Sequence, residues 1–384
     1  MTNKTLGCAI FLLIIFKITA IYFTNVNLYG DEAQYWLWSR ELGLGYYSKP
    51  PLLAWFLSLY IGLFGDSFVS LKIFPIIIYF FITYAIYKLC LGLSFNKKSA
   101  WLCAASFLVI PAASLSSFII STDLLLLLFW TASMVILLNT IKTNSTSNFF
   151  FLGLFLGLAF LAKYAAIYFL LNLLLLLFLD KKSLESFKNN PIGVFVFLLS
   201  LGLVLAPNIL WNFNNAWITL SHTSDNVNLK NLYLNLYEPI KFLLSQIIMV
   251  GPFLFIFFVF FLKNFRLDYE NKFLLIFSLP IILIVLLESF LVRANANWAA
   301  PALISFFIIF FRLVKKDYFL KINFIFNYLV AVFLFFLILS SSENKLFDRI
   351  TGIEEFSNNL YSIIKNKDIV VSDRIIFSNI SYQL

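Results

Sequence analysis

The chain has 384 residues, 61% hydrophobic and only 12% charged, with a mean hydropathy of +0.91. A soluble domain with that balance would aggregate, so the composition excludes one and defines a polytopic membrane protein. The net charge of +9 does not point to nucleic acid, because the basic residues lie in short clusters between apolar runs, as cytoplasmic loops do. Cys8, Cys90 and Cys103 all fall in or beside apolar segments and form neither a disulfide framework nor a metal-ligand spacing.

A helix needs about 20 apolar residues to cross about 30 Å of hydrocarbon. Length and flanking charge then predict about eleven spans, at 6–23, 67–93, 100–119, 122–141, 149–162, 164–179, 191–210, 241–262, 273–291, 299–314 and 322–340. The first lacks a small-residue cleavage site and reads as a retained helix. With the amino terminus in the cytoplasm, the lysine and arginine clusters at 97–98, 142, 181–188, 263–272 and 315–321 all lie inside.

Residues 149–179 test this topology. As one helix they would be roughly 46 Å long, far more than a bilayer needs, and every later basic cluster would move outside. Two short helices meeting at Lys163-Tyr164, below the outer surface, preserve the charge rule. Neither half spans fully, so the turn must be covered by protein or line a wet cavity.

The outer side then collects the loops 24–66 and 211–240, the turn Ser121-Thr122-Asp123, the Lys163 turn and Arg293 to Trp298. Residues 1–340 form the membrane domain, and 341–384 a short, more polar outer tail, with the carboxyl terminus outside. Plain alternatives stand beside each polar residue: Asp31 and Glu32 as solvated loop charge, Lys49 as an interfacial lysine reaching headgroups, and Asp123 as a helix cap. An ionisable residue at the depth of Lys163 more often faces a cavity or a partner. Glu288 and Arg293 are close enough in sequence to pair. His222 stands alone, without the neighbours a zinc site needs. Tyr35, Trp36, Trp38, Tyr46 and Tyr47 suit an interfacial belt and also a sugar face.

Five ordered segments resemble a known pattern. They are Tyr29-Gly30-Asp31-Glu32-Ala33-Gln34-Tyr35-Trp36-Leu37-Trp38 with Gly45-Tyr46-Tyr47-Ser48-Lys49-Pro50-Pro51-Leu52, then Ser121-Thr122-Asp123, Gly157 to Tyr164, Pro207 to Asn212, and Ala296 to Pro301. Together they resemble the superfamily of dolichyl-phosphate-mannose protein mannosyltransferases and aminoarabinose transferases, chiefly its bacterial branch.

The resemblance implies an all-α GT-C glycosyltransferase. Such an enzyme moves a hexose or pentose from a polyprenyl phosphate carrier to a lipid, glycan or protein acceptor, lipid A and lipopolysaccharide included. It would sit in the bacterial inner membrane among membrane lipids, with its site facing the periplasm or exterior, and with no nucleic acid partner. By position, Asp31 matches the catalytic acid of the first loop, Asp123 a second acid, and Lys49 a base that contacts the carrier phosphate. Glu32 is grouped with the acids; Lys163, Tyr164, Arg293, Asn297 and Trp298 are grouped with substrate binding. Ser48 replaces an acidic residue implicated in metal contact, so no metal ligand is assigned and a divalent metal is only a minor alternative. The chain stops before the large outer domain of the longer enzymes, which leaves the acceptor open.

The chemistry of the residues agrees. Displacing a sugar from phosphate develops positive charge at the anomeric carbon and negative charge on the leaving group, while an incoming hydroxyl loses a proton. Asp31 is the candidate base, with Lys49, Lys163 and Arg293 as candidate phosphate cations. A transporter or flippase of lipid-linked glycans is the alternative, although paired repeats with matching broken helices are not evident. A noncatalytic assembly subunit would have no need of Asp31, Asp123 and Lys163 together.

Overall fold

A computed structural model describes residues 3–227, 234–292, 294–314, 317–341, 345–364 and 370–384. All the regular structure among them is helical. The chain begins with α1 (Asn3–Phe23), the short α2 (Gly30–Arg40) and α3 (Leu52–Phe64), then α4 (Phe68–Gly92), α5 (Lys97–Val109), α6 (Pro111–Ser116) and α7 (Thr122–Thr143). There follow α8 (Thr146–Ala162), α9 (Ile167–Leu179), α10 (Lys181–Lys188), α11 (Pro191–Asn214) and α12 (Ile218–Val227). The rest comprises α13 (Tyr237–Val250), α14 (Pro252–Phe261), α15 (Tyr269–Ile276), α16 (Leu279–Leu291), α17 (Ala300–Leu313), α18 (Asp317–Leu339), α19 (Ile353–Ile364) and α20 (Arg374–Gln383).

Among the described residues, seven helical segments are long and apolar enough to cross a membrane, or nine if two bent pairs are each one span. Two expected spans are interrupted for local reasons. The segment expected over 100–119 divides at Ile110, which is extended (φ −60°, ψ 151°) because Pro111 disfavours helix before it and lacks an N–H. The one expected over 241–262 is two helices at 98°, hinged at Gly251, whose φ of +99° suits glycine. The break expected at Lys163 is present. There α8 stops at Ala162, Lys163 is extended (φ −159°, ψ 131°), and a 3-10 turn over Tyr164–Ala166 leads into α9.

Close packing of α8 on α11 explains why the break is held so firmly. Gly153 and Gly157 are four apart, and a Cβ on Gly157 would lie 2.7 Å from Val204 Cγ1. This spacing of small residues lets two membrane helices approach backbone to backbone. Without a hydrophobic driving force in lipid, such contact is a main source of helix association.

The two ends of the bundle differ in chemistry. At one end Arg312 donates to the Leu93 carbonyl (2.9 Å) and to Asn271 (2.9 Å) and pairs with Asp268 (3.0 Å). Lys142 donates to the Gly92 carbonyl (2.8 Å), and Lys272 pairs with Asp180 (3.7 Å). Helices α4 and α7 both finish there. At their other ends lie the first loop, Asp123 and Lys163.

That second end is organised by a buried ion pair. Lys72, on the first turns of α4, donates to both oxygens of Glu32 at 2.7 and 2.6 Å, and each side chain is 1% exposed. Oε1 of Glu32 also accepts from the Ile120 N–H (2.8 Å) and Oε2 from the Tyr29 N–H (2.8 Å). One carboxylate thus fixes the start of α2 against α4 and against the turn before α7. A second buried lysine, Lys17 of α1, donates to Ser117 (2.8 Å) beside the same turn.

In the described part of 341–384, the segment expected as an outer tail, α19 and α20 are helical. Helix α20 lies along α2: the Trp36 and Tyr382 rings meet edge to face at 5.1 Å, and the Tyr382 hydroxyl donates to the Asp66 carbonyl at 3.3 Å.

Removing one partner of the buried pair leaves an uncompensated charge, which typically costs about 3–5 kcal/mol. Lys72→Met therefore lowers the melting temperature in detergent strongly, and Glu32→Gln on that background restores part of the loss. A Lys72→Met protein that melts with the wild type would refute this role.

Candidate active site at one end of the bundle

The first turn of α2 presents two neighbouring acids to different surroundings. Glu32 occupies the third helical position, and its bond from the Tyr29 N–H caps the helix start. All four of its acceptor directions are filled, and it is sealed from any substrate. The sequence groups it with the catalytic acids; in the structure, burial and the bonds to Lys72 give it a holding part. Asp31, one residue earlier and half-buried, makes no hydrogen bond or ion pair among the described residues.

Asp123 stands between these extremes. Its Oδ1 accepts from Lys163 Nζ at 2.7 Å, and its Oδ2 accepts from Asn297 Nδ2 at 2.9 Å. Although Asp123 lies in the first turn of α7, the oxygens go to α8's end and to the 3-10 turn Ala296–Ala299 rather than to backbone donors. Three distant segments meet on one carboxylate, and retain lone pairs for a ligand.

Lys49 comes from the loop between α2 and α3. A turn closed by the Tyr46 N–H to the Lys49 carbonyl (3.1 Å) sets its place. Tyr46 braces that loop through bonds to the Trp38 and Glu41 carbonyls (2.9 and 3.1 Å), and Thr219 of α12 donates to the Tyr46 carbonyl (2.6 Å). Lys49 has no ion-pair partner among the described residues. Burial pushes its pKa down, as do the charges of Lys163 and Arg374, while Asp31 and Asp123 oppose the shift. Tyr35, buried on α2, is pushed up by burial and then by Asp31 and Asp123. The structure thus gathers Asp31, Lys49, Asp123, Lys163 and Asn297 in one neighbourhood.

Other expected residues fall elsewhere or are already occupied. The Tyr164 hydroxyl donates to Asn208 Oδ1 (2.8 Å) and accepts from Asn212 Nδ2 (3.0 Å), while Asn208 Nδ2 donates to the Leu44 carbonyl (2.7 Å). Tyr164 therefore ties the turn after α8 to α11, and Asn208 ties α11 to the first loop. Trp298 packs against the main core, and Arg293 lies outside the described residues. Trp38 and Tyr46 stack on each other, 4.6 Å apart and 9° from parallel, so those two faces are spent. Tyr47 is exposed and meets His222 edge to face at 4.8 Å. The Ser48 hydroxyl is buried with no hydrogen-bond partner among the described residues.

Sequence reading missed Lys72, Gln34 and Arg374. A lysine inside an apolar run was itself a signal for Lys72, since an intramembrane charge needs a partner. Arg374 carried no local signal at all.

The architecture defines a class. It is the GT-C membrane fold: the chain superposes over its whole length on ArnT from Cupriavidus metallidurans bound to undecaprenyl phosphate, at a TM-score of 0.62, 12% identity and 75% of that chain. It also superposes over its whole length on the Archaeoglobus fulgidus oligosaccharyltransferase, at 0.54, 12% identity and 59% of that chain. Sequence narrows the placement. Residues 48–211 match the dolichyl-phosphate-mannose-protein mannosyltransferase family. A curated relative, the lipid A galacturonosyltransferase RgtD of Rhizobium johnstonii, is 29% identical over 295 residues, which is 76% of this chain and 61% of the relative.

Because Lys49 is a cation with a lowered pKa, its charge is lost at a pH below that of an ordinary lysine, about 10.4. Any phosphate held by Lys49 is therefore held more weakly as pH rises toward that ordinary value. Lys49→Arg, whose guanidinium stays charged, moves the alkaline fall upward. An unshifted pH profile for Lys49→Arg would exclude Lys49 from phosphate binding.

Proposed function

We propose that this protein is a polyprenyl-phosphate-sugar-dependent glycosyltransferase acting on lipid A or a related envelope glycan. The observation that carries the reading is the unequal commitment of three carboxylates: Glu32 is saturated, Asp123 is held by Lys163 and Asn297, and Asp31 is unclaimed. A base must be free to take a proton, and of these three Asp31 is the one without a bond among the described residues.

In the proposed reaction the acceptor hydroxyl oxygen attacks the anomeric carbon, and its proton passes to Asp31. The bond from that carbon to the phosphate oxygen breaks, and its electron pair stays on the polyprenyl phosphate. Lys49 stabilises the charge gained there, and Lys163 does so while anchored on Asp123. If the accepting group is itself a phosphate, no strong base is needed and Asp31 positions it. The name of the relative makes a galacturonic acid donor and a lipid A acceptor the first pair to try.

We further propose that this end faces outward across the bacterial inner membrane. The basic clusters at the opposite end favour that side for the cytoplasm. Cysteine labelling checks it in a Cys8→Ser background, with Tyr47→Cys at the site end and Lys98→Cys at the other. Gly45 is unsuitable because its Cβ would strike the Trp211 ring. The two positions label from opposite sides; labelling from one side would overturn the orientation.

The activity test supplies purified protein with polyprenyl-phosphate galacturonic acid and lipid A, and follows transfer by mass spectrometry. Wild type transfers the sugar, and Asp31→Asn falls by about 100-fold or more, the lower end of what a positioned base contributes. Equal rates would remove Asp31 from its role. Movement of lipid-linked sugar across vesicles without transfer would make the protein a transporter.

A further inference from the structure

Helix α20 reaches the candidate site. Asp373 caps it, accepting from the Ile375 and Ile376 N–H groups at 2.8 and 2.9 Å, so the helix begins at a defined point with Arg374 as its first residue. Its seat on α2 is close: Gly30 faces the Ile375 side chain with no room for a Cβ. The Trp36 to Tyr382 contact and the Tyr382 to Asp66 bond hold the far end. The position of Arg374 is thus fixed by backbone approach rather than by a swinging tail.

At that position Arg374 Nη1 donates to Oε1 of Gln34, a side chain only 5% exposed. Gln34 is three residues beyond Asp31 on α2, so the two share a helix face one turn apart. A guanidinium has five N–H donors, and the bond to Gln34 uses one while orienting the planar fork. Arg374 itself is exposed and, among the described residues, has no carboxylate partner. Lys49, though partly buried, likewise has no carboxylate partner among them. Asp123, the other carboxylate that acts on Lys49, is taken by Lys163 and Asn297. Among the described residues the site therefore holds two cations without a carboxylate partner, Lys49 and Arg374, and the unbonded carboxylate of Asp31. The Arg374 charge acts on both Lys49 and Tyr35, so Arg374 shares their neighbourhood as well as lying one turn from Asp31 through Gln34.

We propose that Arg374 is a second anion-binding residue of this site and shares with Lys49 one phosphate group of a substrate. The proposal rests on the glycosyltransferase reading for the identity of that substrate, and its chemistry is that of a phosphate monoester or diester. Arginine supplies bidentate geometry that a lysine cannot, and Gln34 acts as the positioning residue. The phosphate belongs either to the polyprenyl carrier or to the acceptor.

The test uses the full chain in detergent and needs no turnover for its first arm. Sugar-free polyprenyl phosphate is titrated against wild type, Arg374→Ala and Arg374→Lys, with melting temperature recorded for each. Arg374→Ala raises the dissociation constant about tenfold or more, in keeping with a lost charge-assisted hydrogen bond, and Arg374→Lys recovers part of it. The second arm measures KM for donor and for a phosphorylated lipid A acceptor. A rise confined to the acceptor, with carrier binding unchanged, keeps the proposal and assigns the phosphate to the acceptor. Unchanged affinity for both would overturn it, as would losses of melting temperature and kcat without a change in either affinity, which would leave Arg374 as an anchor of α20. A wild type that binds polyprenyl phosphate yet transfers nothing would overturn the glycosyltransferase reading instead, and the affinity comparison would still stand.

Discussion

The pair of Glu32 and Lys72 sets the conditions for everything around it. Two ions with 1% exposure can persist only if each satisfies the other and every remaining lone pair is used. Here the remaining lone pairs go to the Tyr29 and Ile120 N–H groups, so solving the electrostatic problem also fixes the geometry. The start of α2, the early turns of α4 and the strand of chain leading to Asp123 become one unit. Asp31 is the neighbour of Glu32 on that unit and inherits its rigidity while keeping its own oxygens free. A reacting group is best placed in this way, on a stiff element with support from beneath.

The second acid follows the same logic at lower cost. Asp123, Lys163 and Asn297 are partly exposed or exposed, so their bonds can rearrange around a ligand without leaving a buried charge alone. The helix break at Lys163 is what brings the cation to Asp123. It stays in place because Gly153 and Gly157 allow α8 to lie tightly on α11, and because Tyr164 reaches Asn208 and Asn212 on that same helix. Packing in the membrane thereby positions a charge at its edge.

Much of this could be read from the sequence, for identifiable reasons. Hydropathy located the long helices, since lipid imposes a length on every crossing. The break at Lys163 was legible because a charge in an apolar run has few tolerable settings. Interruptions at Ile110 and Gly251 do not show in averaged hydropathy, which is the same for a broken and an unbroken segment; their signals are Pro111 and the Gly251-Pro252 pair. The two neighbouring acids at 31 and 32 looked equivalent, and only the partner 40 residues away, Lys72, separates them. Arg374 was illegible for a related reason: its relation to Gln34 spans 340 residues and leaves no periodicity or motif. Ordered matches to a family identify the residues that families share, and these contacts lie outside them.

The account turns on the claim that Glu32 holds the fold while Asp31 is free to act. Melting temperatures of Glu32→Gln and Asp31→Asn, measured side by side in the same detergent, test it most directly. The account predicts a marked fall for Glu32→Gln, which leaves Lys72 buried and uncompensated, and a melting temperature for Asp31→Asn indistinguishable from wild type. A comparable fall for Asp31→Asn, or none for Glu32→Gln, would contradict it.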